Sequence, residues 1–257
     1  MKNIIKTIAF LLVAGLLFVG CQKDTSEGRT YITLHPIQLL GDNPLLVEAG
    51  TPFVDPGFTC IEQDGTDSHN KVVVTGIGDV DTDEMGFYYI TYSIDKNIDG
   101  FPSSVVRTVI VCNPDVTTDI SGGYRVNADE TYRTLLSSGA INYFNAHANA
   151  GNLNESWAVI VVTRVAPGFF RVTDMLGGWY YALVYPQYKD QYNFKMDGYI
   201  ALDNAGTITL VKSLHGYWGD ELDYLLNGFY DETAKTLEWN VGYAGSMDFY
   251  VFLNKIN

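Results

Sequence analysis

The sequence predicts an all-β protein built from two domains, and three observations support this prediction. Short segments rich in Val, Ile, Phe, Tyr and Thr recur at intervals of about ten residues, a spacing typical of small sandwiches and barrels. Gly, Pro, Asn and Asp separate these segments, as expected for strands joined by tight turns. The chain has 257 residues, of which 14% are aromatic, and that length suffices for one large or two ordinary domains.

The first twenty residues have the pattern of an export signal for a lipid-modified protein. Two lysines precede an apolar run, residues 8–19, and Gly20 is followed by Cys21. A small residue before a cysteine suits the cleavage step, and the thiol then accepts a diacylglycerol group. The apolar run is short for a membrane span, which argues against a transmembrane anchor. The sequence therefore predicts a lipoprotein signal peptide over 1–20 and lipidation of Cys21.

The segment 21–36 is polar and lacks an apolar period, which predicts a flexible tether. Its charged residues Lys23, Asp24 and Glu27 resemble the segments that direct Bacteroidetes lipoproteins to the outer cell surface. The net charge is −14, and removal of the two lysines of the signal leaves −16. Because so acidic a surface repels nucleic acid and anionic lipid, we expect no nucleic-acid partner and membrane contact through the lipid only.

Residues 37–114 are predicted to form the first domain, a small β-sandwich that ends at the Pro114 break. Its six predicted strands are 37–40, 45–48, 57–61, 72–77, 87–94 and 105–112. Three segments, 48–58, 86–93 and 107–111, resemble the opening, central and last strands of a bacterial immunoglobulin-like (Ig-like) domain found in surface proteins. The resemblance implies an Ig-like sandwich that acts as a spacer.

Two features of this domain leave alternatives open. Cys60 and Cys112 could form a disulfide in an oxidising compartment, or they could be buried free thiols that pack as small hydrophobic groups. Asp95, Asn97 and Asp99 match the first half of a calcium loop, but the acid expected at its twelfth position is missing. A polar hairpin is the favoured alternative for that loop, so the sequence predicts no metal site and no cofactor.

Residues 115–257 are predicted to form a second, aromatic-rich domain that contains all four tryptophans. Successive hairpins indicate an antiparallel meander, either a barrel of lipocalin-like topology or a sandwich. Residues 131–144 are expected to include one short helix. The predicted strands are 157–165, 168–173, 197–202, 207–211, 228–230, 236–243 and 247–253.

The densest aromatic stretch of this domain is a candidate ligand-binding surface. Aromatic rings bind the apolar faces of sugars, and polar side chains at the rim complete such sites. In a strand, three consecutive aromatic residues cannot all face the core, so at least one ring should be accessible. Core packing is the alternative for any single ring. The candidate residues are Trp179, Tyr180, Tyr181, Tyr185, Tyr188 and Trp218.

The sequence contains no hydrolase, zinc-protease or nucleotide-binding motif, and its four histidines are scattered, so we predict that the protein is not an enzyme. The layout as a whole resembles Bacteroides surface lipoproteins that accompany polysaccharide-utilisation systems. The resemblance implies an outer-membrane lipoprotein exposed at the cell surface, with a glycan as ligand or with partner proteins of an outer-membrane complex. A structural or adhesive subunit is one alternative, and a small-molecule-binding or hydrolytic β-domain is another.

Overall fold

A computed structural model describes residues 36–256 of the chain. The predicted signal peptide, the lipidation site Cys21 and almost all of the tether lie outside the described residues. Within the described part, no helix is both long enough and apolar enough to cross a membrane. The described residues form an N-terminal domain of two small sheets and a C-terminal domain of one large closed sheet.

The N-terminal domain is the predicted Ig-like sandwich, and each of its six predicted strands is present within a few residues. Strand β2 pairs in parallel with β6, which continues through β5 to β4, while β1 and β3 form the second layer. Ile90, Tyr92, Ile94 and Val109 fill the space between the layers and are buried. The strands are β1 (Ile37–Leu39), β2 (Leu45–Glu48), β3 (Phe58–Cys60), β4 (Val73–Thr75), β5 (Gly86–Ile94) and β6 (Ser103–Cys112).

The structure describes both features for which the sequence left alternatives open. Cys60 and Cys112 are buried free thiols, so the disulfide is not formed. Cys60 packs in the sandwich core, whereas Cys112 packs in a separate apolar cluster. The side chain of Asn97 is buried, and its Oδ1 accepts hydrogen bonds from the backbone N–H groups of Asp99 and Phe101. This oxygen therefore stabilises a hairpin loop, and no cluster of three potential metal ligands occurs within residues 36–256.

The C-terminal domain is a closed antiparallel barrel of eight strands, which decides between the barrel and the sandwich. Strands β10 to β15 follow one another as a meander, and β16 closes the barrel by pairing with both β15 and β7. The strands are β7 (Gly122–Val126), β8 (Tyr132–Leu135), β9 (Ala140–Tyr143), β10 (Ile160–Ala166), β11 (Phe169–Val172), β12 (Gly198–Leu202), β13 (Thr207–Ser213), β14 (Leu222–Asp231), β15 (Thr236–Tyr243) and β16 (Met247–Lys255).

Side chains fill the interior of the barrel. In β16, Phe249, Val251 and Leu253 alternate with partly exposed residues and are fully buried, as the sequence pattern predicted. Trp239 is also fully buried, and its indole N–H donates to the backbone oxygen of Met175 at 2.9 Å. Because buried side chains that include the rings of Trp239 and Phe249 fill it, this interior is a packed core of the kind found in small barrels.

The prediction of a short helix within residues 131–144 is wrong. This segment forms the hairpin β8–β9, which extends the barrel sheet through the pairing of β8 with β16. The Tyr132 ring lies between the rings of Tyr143 and Tyr250, with centroid distances of 5.4 Å to both. Cross-strand aromatic contacts of this kind stabilise a hairpin, and local propensity alone does not reveal them.

The two domains share an apolar interface on the outer wall of the barrel. The ring of Phe87 in the Ig-like domain lies 5.0 Å from that of Phe169 and 4.9 Å from that of Tyr199. Ile110 and Cys112 are buried in the same cluster. The first domain therefore rests against strands β10 to β13, close to the β10–β11 turn.

Candidate functional site

The aromatic segment that begins at Trp179 is a helical turn and not a strand. Residues Trp179–Val184 form one π-helical turn, in which the N–H of Tyr185 donates to the carbonyl oxygen of Tyr180 at 2.9 Å. Gly178 has a φ of 81°, a conformation that glycine adopts without steric cost. The alternation argument of the sequence analysis therefore does not apply. The turn instead directs its three consecutive rings to different environments.

Trp179 is part of the core, so its predicted place on a binding surface is corrected. Its exposure is 5%, and its ring packs 5.1 Å from that of Phe144. The guanidinium of Arg133 lies over the indole at 4.3 Å, and burial lowers the pKa of this arginine. An indole enclosed in this way cannot offer its face to a ligand.

Six other rings gather beside Trp218 and form what we call the aromatic patch. The patch lies at the barrel end where the β11–β12 and β13–β14 connections meet. Four of its rings are between 42% and 47% exposed, which leaves their outer faces in contact with solvent. The patch consists of Tyr180, Tyr185, Tyr188, Tyr192, Phe194, Tyr217 and Trp218.

Phe194 is the centre of this patch and holds the exposed rings in place. Its own ring is buried, and it lies 4.6 Å from the ring of Tyr217 and 5.4 Å from that of Trp218. The planes of Tyr217 and Trp218 are nearly perpendicular, at 89°. Edge-to-face contacts of this type add stability beyond the burial of area, so the exposed rings are supported from below.

A tight turn presents Tyr217 and Trp218. The N–H of Gly216 donates to the carbonyl oxygen of Asp220 at 2.9 Å, which closes the turn. A Cβ atom at Gly216 would lie 2.2 Å from the sulfur of Met196, so a larger residue here would force the buried Met196 side chain to move. The turn is therefore fixed against the barrel end and does not behave as a free loop.

The carboxylate of Asp220 anchors the same turn to the barrel. It accepts a hydrogen bond from the hydroxyl of Tyr243, whose ring packs 5.6 Å from that of Tyr180. Burial, followed by the bond to Asp220, raises the pKa of the Tyr243 hydroxyl well above its usual value. Tyr243 therefore remains protonated at neutral pH and acts as a donor that positions the patch.

A groove of about 460 Å³ adjoins the patch, and Tyr192 belongs to both. Three cationic side chains line it: Arg171, Lys189 and Lys195. Arg171 pairs with Asp197 and Lys189 pairs with Asp190. The ammonium of Lys195 lies 4.6 Å from the ring centre of Tyr181, a cation–π contact. The amides of Gln191 and Asn193 also line the groove. The groove therefore combines aromatic rings, amides and cationic side chains beside the patch.

A larger groove of about 700 Å³ lies elsewhere on the barrel, near the C-terminal end of β16. Its lining is rich in asparagine, and two of these amides already bond within the protein. Asn127 donates to Glu130 at 2.7 Å, and Asn145 donates to Asp129 at 2.8 Å. This groove lacks an aromatic lining, so it offers less to a ligand than the patch does.

The structure brings together most of the residues that the sequence singled out. Tyr180, Tyr185, Tyr188 and Trp218 belong to the patch, whereas Tyr181 faces the groove and packs against Trp157 at 5.6 Å. Phe194 was missed, because an isolated aromatic residue in a polar segment gives no sequence signal. The three cations of the groove were missed as well, because they come from separate segments of the chain.

An Ig-like domain followed by a closed barrel with an aromatic end defines a two-domain all-β protein. Residues 37–111 match the model of a bacterial surface protein Ig-like domain, and residues 113–255 match that of a BT2262-like C-terminal domain. Because the second match spans more than half of the chain, this protein belongs to the BT2262-like family. No curated protein matches it.

One similar solved structure is that of the lipoprotein BT2262 from Bacteroides thetaiotaomicron. The two sequences are 32% identical over 85% of this chain and 98% of that chain, with a TM-score of 0.42. The solved relative is a lipoprotein, and the Ig-like model describes bacterial surface proteins. The match to the Ig-like model supports a location in the cell envelope.

Proposed function

We propose that this protein is a lipid-anchored surface protein of the outer membrane that binds glycan without chemical change. The observation that carries the proposal is the aromatic patch, in which Tyr188, Tyr192, Tyr217 and Trp218 are each more than two-fifths exposed. Exposed rings supported by a buried ring are typical of surfaces that bind apolar faces of a partner. Sugars present such faces, together with hydroxyl groups for the polar rim.

The arrangement of the domains supports a role for the Ig-like domain as a spacer. The linker after Cys112 enters the barrel at the end where the β10–β11 turn lies, because β7 runs antiparallel to β10. The patch lies at the other end, with the β11–β12 and β13–β14 connections. The patch and the linker to the Ig-like domain therefore lie at opposite ends of the barrel.

Charges beside the patch support binding in preference to hydrolysis. Hydrolysis of a glycosidic bond needs two carboxyl groups that face the substrate and act as acid and base. Asp220 accepts a hydrogen bond from Tyr243, Asp197 pairs with Arg171, and Asp190 pairs with Lys189. These carboxylates serve as anchors and ion-pair partners in the structure.

The proposal is tested by a glycan array probed with the soluble mature chain, residues 22–257. We expect Trp218→Ala to weaken binding to the selected glycan by about 1–3 kcal/mol, as at other aromatic hot spots, while circular dichroism stays unchanged. Tyr89→Ala is the matched control, because Tyr89 is 56% exposed on the Ig-like domain, away from the patch. An array without a specific hit, or equal affinities of the Trp218 and Tyr89 variants, would contradict the proposal.

A further inference from the structure

We infer that the groove beside the aromatic patch binds an acidic sugar, so that the glycan recognised by this protein carries carboxylate or sulfate groups. The inference rests on the proposed glycan binding and specifies the chemical class of the ligand. Tyr192 joins the two surfaces, since its ring contacts Tyr217 at 5.3 Å and also lines the groove. An oligosaccharide bound on the patch can therefore place its adjoining sugar unit in the groove.

The charge of the groove is opposite to that of the whole protein. The chain carries 30 acidic and 16 basic residues, yet this one groove contains three cations. The carboxylates of Asp190 and Asp197 offset two of them. Among residues 36–256, Lys195 forms no ion pair within 4.0 Å. Its ammonium rests on the Tyr181 ring and acts on Asp197 only at longer range, so it can still contact an anion in the groove.

The geometry of the groove suits an anion attached to a sugar ring. The side chain of Arg171 is 47% exposed, so its planar guanidinium can donate to the two oxygens of a carboxylate or sulfate while it keeps Asp197. The amides of Gln191 and Asn193 also line the groove and suit sugar hydroxyls. At physiological salt the Debye length is about 8 Å, so the nearby cations outweigh the distant acidic surface.

The test compares acidic glycans with their neutral forms on the same backbones. The soluble mature chain is probed with oligogalacturonate, its methyl ester, dextran sulfate and dextran, together with a broad array of uronate-containing, sulfated and neutral oligosaccharides. We expect the hits to be acidic and to bind at least about fivefold more weakly once the carboxylates are esterified or the sulfates removed. The carboxylate and sulfate probes show which anion the groove prefers.

Lys195→Gln should reduce acidic-glycan binding by about fivefold to tenfold, the effect of one charge pair at a partly desolvated site. Lys96→Gln is the matched control, because this lysine is exposed in the β5–β6 hairpin of the Ig-like domain. Acidic hits that are indifferent to Lys195→Gln would overturn the assignment of the groove. Neutral hits that are weakened by Trp218→Ala would overturn the acidic class and keep the proposed function, whereas the absence of any hit overturns both.

Discussion

The rings of Phe87 and Phe169 lie 5.0 Å apart and join the Ig-like domain to the barrel. Phe169 and its neighbour Phe170 point to opposite faces of β11, yet both are fully buried. Phe170 lies inside the barrel, whereas Phe169 lies outside it beneath the first domain. The two domains are therefore held together by apolar contacts in addition to the linker.

Phe87→Ala should loosen the contact between the domains while both stay folded. Loss of the ring removes its contacts with Phe169 and Tyr199, worth about 2 kcal/mol by burial and ring packing. We expect faster proteolytic cleavage at residues 113–115, because Val116 is already buried in the barrel core, and a larger radius of gyration by small-angle X-ray scattering. Tyr89→Ala on the same strand is the control, because this side chain is exposed. Unchanged cleavage and scattering in the Phe87 variant would contradict a stabilising interface.

Trp179 and Trp218, which the sequence predicted to share one binding surface, should differ in how much their substitution by alanine lowers the free energy of unfolding. Trp179→Ala removes a core ring that contacts Phe144, Phe249 and Arg133, so we expect a loss of about 3–5 kcal/mol in the free energy of unfolding. Trp218→Ala should cost about 1 kcal/mol or less, since 46% of the residue is exposed. Urea unfolding of both variants measures their free energies of unfolding. Equal losses of stability would contradict the buried position of Trp179 and the exposed position of Trp218.

Asp174 should make the barrel less stable as the pH rises. The side chain is buried, its Oδ1 accepts from the N–H groups of Leu176 and Met196, and burial raises its pKa to about 7. The unfolded carboxyl loses its proton near pH 4, whereas the folded one keeps it until about pH 7. The folded state therefore loses on the order of 4 kcal/mol of stability from this group as the pH rises through that window, with no further loss above it.

Asp174→Asn tests this pH dependence, because an amide stays neutral and retains an oxygen for the same two N–H donors. Urea unfolding at pH 5, 6, 7 and 8 should show a smaller decrease in stability for the variant than for the native chain. Subtracting the free energies of unfolding of the two proteins at each pH removes the contribution of the titratable groups that both share. Parallel stability curves over this range would show that the carboxyl is ionised in the folded state.

Cys21 should carry the lipid that holds the protein at the membrane. We expect Cys21→Ala to abolish labelling with an alkyne fatty acid and to release the protein from the membrane fraction, because the anchor is the only predicted membrane contact. Cys60→Ala is the matched control, since this buried thiol is not available to the acylating enzyme. Retention of the Cys21 variant in the membrane fraction would refute lipid anchoring.

The sequence determined the all-β class and most strand positions, because alternating side chains and turn residues act locally. The segments predicted at 45–48 and 236–243 coincide with β2 and β15. The same local logic failed at β8–β9 and at the π-helical turn of Trp179. In those segments, pairing with β16 and packing against Phe144 outweighed local preference.

Only the tertiary structure decided which aromatic residues face solvent and what lies beside them. Trp179 and Trp218 look equivalent in the sequence, yet one packs under Arg133 and the other projects from the turn closed by Gly216. Arg171, Lys189 and Lys195 meet in one groove because β11 and the connection to β12 lie side by side. Burial and convergence depend on contacts between distant segments, and a linear pattern of residues does not contain those distances.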